Sequence, residues 1–147
     1  AGALLIMNNR IDIAQAIDAD GVHLGQGDLP IPVARTLAPE LILGASTHTL
    51  DQAQTAQTEG ASYYNIGPIY PTQTKALSMD VLGPETIDLT APHIDLPFTC
   101  MGGIKPHNLD DLLQRGAKHP AVVTAVTAQD DICATARALR AQIRAWK

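Results

Sequence analysis

Phe98-Thr99-Cys100-Met101 is a short apolar run, Gly102-Gly103-Ile104 turns away from it, and Pro106 to Arg115 then reads as a helix that Gly116 stops. Proline at the first helical position and glycine just past the last are the ordinary start and stop of a helix. The segment is one β/α unit, and the same order recurs on both sides of it. Leu4–Met7, Gly21–Leu24, Leu41–Gly44 and Ser62–Gly67 are candidate strands before it, and Ala121–Val126 is a sixth after it. These runs are too continuously apolar, or too small, for half-exposed antiparallel strands, so both faces are expected to be buried. Helices are expected over Asp12–Ala19, Ile31–Leu37, Leu50–Glu59 and Ile132–Ala145, with a weaker one over Leu82–Ala91. Thr49 is placed to cap the third of these.

Alternating strand and helix is the pattern of a parallel α/β protein. An open doubly wound sheet carries its Gly-rich phosphate turn after the first strand. Here that position holds Asn8-Asn9-Arg10, with no glycine. A (β/α)8 TIM-type barrel needs eight strands and about 250 residues. The expectation is therefore a single barrel domain over residues 1–147, with about six β/α units present and the first two missing. Such a remainder exposes strand edges that closure normally removes, so unless it rearranges or pairs with another copy as a homo-oligomer it should be poorly stable alone.

Composition narrows the function classes. The 147 residues are 46% apolar, 17% charged and only 3% aromatic, with a net charge of −5. No Lys/Arg cluster offers a face to nucleic acid. No apolar run approaches the ~18–20 residues of a membrane span. Ala1–Met7 lacks a basic leader and the chain begins without Met, which reads as an internal start, and the expected compartment is the cytoplasm. Cys100 and Cys133 lie far apart and in no metal-ligand spacing, and both are expected to be reduced, buried thiols.

Polar residues gather just after the candidate strands, where a barrel keeps its active face. Asp28, on the turn Gly25-Gln26-Gly27-Asp28, is either a Mg²⁺ ligand or a simple turn carboxylate before Pro30. Gly67-Pro68-Ile69-Tyr70-Pro71-Thr72-Gln73-Thr74-Lys75 ends in two hydroxyls and an ammonium, donors suited to a phosphate ester or diphosphate. Gly102-Gly103 lets backbone amides approach an anion, or is only a tight turn. His48, beside Ser46, suits acid–base work near neutral pH, with a structural hydrogen bond as the alternative. His23, inside a strand, is expected to pack or bond locally. There is no hydrolase triad, no Walker A loop and no zinc pattern.

Five segments, in order, resemble one family. They are Leu5-Ile6-Met7-Asn8-Asn9-Arg10-Ile11-Asp12-Ile13-Ala14, Ala19-Asp20-Gly21-Val22-His23-Leu24-Gly25-Gln26-Gly27-Asp28-Leu29-Pro30, Gly44-Ala45-Ser46-Thr47-His48-Thr49, Gly67 to Lys75, and Gly102-Gly103-Ile104. On these the chain is identified as a member of the thiamine phosphate synthase and thiazole tautomerase family. The resemblance implies a phosphorylated small-molecule substrate pair: hydroxymethylpyrimidine diphosphate and thiazole phosphate, joined with release of pyrophosphate. It implies that Asn8 and Ser46 contact the pyrimidine, that Asp28 and Asn9 hold Mg²⁺, and that Thr72, Thr74 and Lys75 meet the phosphates. Gly103, Val123 and Thr124 would hold the thiazole phosphate, and Lys75, Ser46 and His48 are the candidate catalytic groups. Two departures from the family stand out: Asn9 occupies the position of a second metal-binding Asp, and the family's first two strands, which carry a Gln/Arg/Lys set for the diphosphate, are absent. Thr124 for the family's Ser is a milder change that keeps the hydroxyl. The alternatives are a thiazole tautomerase, with His48 moving the proton, and a non-catalytic phosphate-ligand-binding relic.

Overall fold

A computed structural model describes residues 2–74 and 80–146. The elements run β1 (Ile6–Asn8), α1 (Ile11–Ala16), β2 (Gly21–Leu24), α2 (Ile31–Leu37), β3 (Ile42–Thr47), α3 (Leu50–Thr58), β4 (Tyr63–Ile66), α4 (Glu85–Thr90), a 3₁₀ turn (Ala91–His93), β5 (Phe98–Cys100), α5 (Pro106–Gln114), α6 (Thr124–Thr127) and α7 (Ile132–Ala145). Strands β1, β2, β3 and β4 lie side by side in a sheet in that order. Strands in sequence order, joined through helices, are the α/β architecture the alternation called for. No helix among the described residues is long and apolar enough to cross a membrane.

Two compact units divide the chain. One comprises Ala1–Asn65 with Thr90–Pro97, the other Ile66–Leu89 with Phe98–Lys147. In the first unit β1, β2 and β3 pair in parallel, with Met7 opposite Val22, Val22 opposite Leu43, Asn8 opposite His23, and His23 opposite Gly44. Side chains alternate between the two faces of a strand, so this register sorts the residues. Val22, Leu24, Leu43 and Ala45 go to the face that packs on Ala14, Ala34 and Ala56 of the helices, and all are buried. Alanine at the contacts lets helix backbones approach the sheet closely. Asn8, His23, Gly44 and Ser46 fall on the other face.

In the second unit Ile69, Ile87, Cys100, Leu109 and Leu112 are fully buried. Helix α5 begins at Pro106 and closes with Gly116 N–H donating to Leu113 and Ala117 N–H donating to Leu112, both at 3.0 Å. Its start is fixed by Asn108, whose Oδ1 accepts the Lys105 N–H at 2.8 Å. Thr49 caps α3 as expected, its Oγ1 accepting the Gln52 N–H.

Two strand ends that bear on the site differ from the sequence expectation, and one strand is lost. Strand β1 runs on to Asn8 and β3 to Thr47, so Asn8 and Ser46 are strand residues rather than loop residues. The expected strand at Ala121–Val126 is not one. Only a lone parallel bridge joins Cys100 to Pro120, with Ala121 N–H donating to Cys100 at 2.8 Å. Pro120 has no N–H with which to extend a ladder. Just beyond, the Val126 and Thr127 N–H groups and the Thr127 hydroxyl all turn back onto the Val123 carbonyl, which starts helix α6. The described residues thus hold five strands, not six. A short apolar run of this kind has no periodicity to separate strand from helix.

Candidate active site

The first unit presents a polar face built on β1–β4. Ser46 Oγ lies 2.9 Å from His23 Nε2, and His23 Nδ1 lies 2.9 Å from the Tyr63 hydroxyl. The imidazole spans β3 because residue 44 has no side chain. A Cβ on Gly44 would sit 2.4 Å from His23 Nδ1 and 2.2 Å from Tyr63 Cζ. Burial pushes the His23 pKa down, opposed by the charge of Asp28, which favours the neutral ring. Burial likewise raises that of Tyr63. From the other side, Gln26 Nε2 donates to the Ser46 carbonyl at 2.6 Å, tying the turn after β2 to β3.

Around this face stand the other first-unit candidates. Asn8 is exposed at the end of β1, in register with His23. Asn9 has a left-handed backbone (φ 64°), and its N–H donates to the His23 carbonyl at 2.8 Å. Asp28 Oδ2 accepts the Gly25 N–H at 2.7 Å and so closes its own turn. His48 is half-buried beyond β3, its N–H donating to Gln52 Oε1 at 2.8 Å. Among the described residues no group of three or more His, Cys, Asp and Glu side chains is placed to hold a metal. Asp28 also lines a cleft of about 300 Å³ together with Asp51 and Glu59.

The second unit carries the turn after β5. Gly103 has φ +63°, and a Cβ there would meet the Pro71 carbonyl oxygen at 2.4 Å, so only glycine fits. Asn108 Nδ2 holds the Gly103 carbonyl at 3.1 Å. Lys105 Nζ donates to Thr124 Oγ1 at 2.8 Å, which places an ammonium beside the expected phosphate contact. Val123 is exposed, its carbonyl spent on α6. In the preceding loop Thr72 Oγ1 lies 3.2 Å from Thr74 Oγ1 and accepts the Thr74 N–H at 3.2 Å. Lys75 lies outside the described residues.

A chain with these segments in this fold can be set against known proteins. A family model described as thiamine monophosphate synthase matches residues 1–126. The chain belongs to this family. It is 43% identical to the thiamine-phosphate synthase of Chloroflexus aurantiacus over 143 residues, 97% of this chain and 66% of that protein. To that of Chlorobium luteolum it is 49% identical over 142 residues, 96% of this chain and 67% of that protein. The chain thus spans about two thirds of the length of the curated relatives it matches. A solved thiamine phosphate pyrophosphorylase from Pyrococcus furiosus superposes with a TM-score of 0.89 at 36% identity, over 97% of this chain and 68% of that one.

Sequence reasoning picked Ser46 and missed what holds it. Tyr63 went unremarked, His23 was expected only to pack or bond locally, and Lys105 was passed over. The available signal was a polar residue at every second position of an apolar strand, as at Tyr63 and Asn65 in β4.

Proposed function

We propose that this chain carries the thiamine phosphate synthase reaction, joining hydroxymethylpyrimidine diphosphate to thiazole phosphate. The observation that carries the reading is its 49% identity to a protein named thiamine-phosphate synthase across 96% of its length. In the reaction the bond between the pyrimidine methylene carbon and the diphosphate oxygen breaks, and pyrophosphate leaves with the electron pair. The thiazole nitrogen then supplies a lone pair to the pyrimidine cation. No covalent nucleophile is called for; the protein's task is to position two substrates and to stabilise a departing anion.

The candidate residues have the chemistry for that task. Asn8 and Ser46 would bind the pyrimidine, and the neutral His23 beside Ser46 adds no positive charge to oppose a forming cation. Thr72, Thr74 and Lys75 would hold the diphosphate. Gly103, Val123 and Thr124 would hold the thiazole phosphate. Mg²⁺ would neutralise charge on the leaving pyrophosphate, with Asp28 and Asn9 as its protein ligands. One carboxylate oxygen of Asp28 is engaged by Gly25, and Asn9 brings only an amide. Such a sparse set suits a cation that takes most of its ligands from phosphates and water.

Thiamine phosphate formation from the two substrates, with and without Mg²⁺, tests the reading. Mg²⁺-dependent product is expected. Restoring the second acid with Asn9→Asp should lower the Mg²⁺ concentration for half-maximal rate by about tenfold, as an added charge on a hard cation predicts. Metal-independent proton exchange on the thiazole would mark a tautomerase, and thiazole phosphate binding without turnover a non-catalytic module.

A further inference from the structure

His23 stands between two hydroxyls, 2.9 Å from each. A neutral imidazole has one N–H and one lone pair, so its two contacts must have opposite polarity. Either Tyr63 donates to Nδ1 and Nε2–H donates to Ser46, or Ser46 donates to Nε2 and Nδ1–H donates to Tyr63. The two arrangements differ in what Ser46 has left to offer. In the first its proton is available to a ligand. In the second that proton is held by His23, and Ser46 offers only lone pairs.

The phenol decides between them. Even with its pKa raised by burial, a phenol is a stronger acid than an aliphatic hydroxyl, and its proton is the one an imidazole lone pair draws best. The surroundings hold the geometry. Gly44 leaves room for the Tyr63 and His23 rings, and Gln26 grips the Ser46 carbonyl. We propose that Tyr63 and His23 are positioning residues forming a relay that fixes the Ser46 hydroxyl as a hydrogen-bond donor, aimed at an acceptor such as a pyrimidine ring nitrogen. The identity of that acceptor rests on the proposed synthase reading, whereas the polarity of the relay does not.

The imidazole ¹⁵N NMR spectrum of the chain reads the tautomer directly, and the Nε2–H form is expected. Tyr63→Phe should raise KM for hydroxymethylpyrimidine diphosphate about fivefold, the scale of one neutral hydrogen bond, while KM for thiazole phosphate stays within about twofold. His23→Gln places an amide N–H near the position of Nε2 and should hold KM within about threefold of the native value, whereas His23→Leu should lose at least as much as Tyr63→Phe. An Nδ1–H tautomer overturns the relay. So does a Tyr63→Phe variant that leaves KM unchanged, or one that raises both KM values alike. If the native chain makes no thiamine phosphate, the synthase reading fails, and the tautomer alone then decides for or against the relay.

Discussion

Adding a single methyl group at Gly44 would place it 2.2 Å from Tyr63 Cζ and 2.4 Å from His23 Nδ1, closer than real Cβ atoms approach. Both neighbours are rings with little freedom to yield. Gly44→Ala is therefore an overpacking change, with an expected cost of about 1–3 kcal/mol. The urea midpoint should fall with no change in slope, and KM for the pyrimidine diphosphate should rise with it. A Gly44→Ala variant as stable as the native chain would mean that the rings are not held where they are seen. The two cysteines offer a second residue-scale contrast. Burial pushes the Cys100 thiol up to about 12, whereas Cys133 lies exposed on α7. Only the thiolate alkylates, so iodoacetamide at about pH 8 should add one label to the folded chain, at Cys133, and a second only in urea. Mass spectrometry counts the labels, and modification of Cys100 in the folded chain would contradict its burial.

At the scale of elements, α5 shows how far local signals reach. Pro106 and Gly116 were enough to bound the helix, because a start and a stop are local chemistry. What the helix does for the site was hidden, since it depends on one amide reaching two backbone groups. Asn108 Oδ1 accepts the Lys105 N–H, and its Nδ2 donates to the Gly103 carbonyl. Asn108→Ala removes both and should cost about 1–2 kcal/mol, the usual scale for a lost helix cap. Asn108→Asp keeps the acceptor, so it should retain more of the stability than Asn108→Ala. It loses the donor to Gly103 and brings a negative charge to the turn, so thiazole phosphate should bind at least tenfold more weakly, read by isothermal titration. Equal affinity in the native chain and the Asn108→Asp variant would detach this turn from phosphate binding. The misread element, Ala121–Val126, failed for the opposite reason. Five of its six residues, all but Thr124, are apolar in either conformation, and only the missing N–H of Pro120 and the donors converging on Val123 decide between them.

Up to β5, alternation alone yields the order of strands and helices, because each element buries its own apolar run. The site is less legible. Tyr63 and His23 are 40 residues apart and meet only once β2, β3 and β4 have paired over a glycine. No spacing within the sequence encodes that. The same economy of side chains governs stability. With 3% aromatic residues, the core relies on a few large aliphatic groups set against alanines. Leu43 is fully buried, and Ala14, Ala34 and Ala56 share its cluster. Alanine has no rotamers with which to fill a void, so a cavity left by Leu43→Ala should stay open. The expected cost is therefore in the upper part of the 2–5 kcal/mol range, about 4 kcal/mol. Domains of this kind hold only about 5–15 kcal/mol in total. That loss should lower Tm by on the order of 10 °C for a chain of this length. Leu89, 65% exposed, is the matched control, and Leu89→Ala should change stability by less than about 0.5 kcal/mol. Calorimetry of the two variants separates the readings: equal melts would mean that the alanine-lined core collapses around the gap, and a wide split that it cannot.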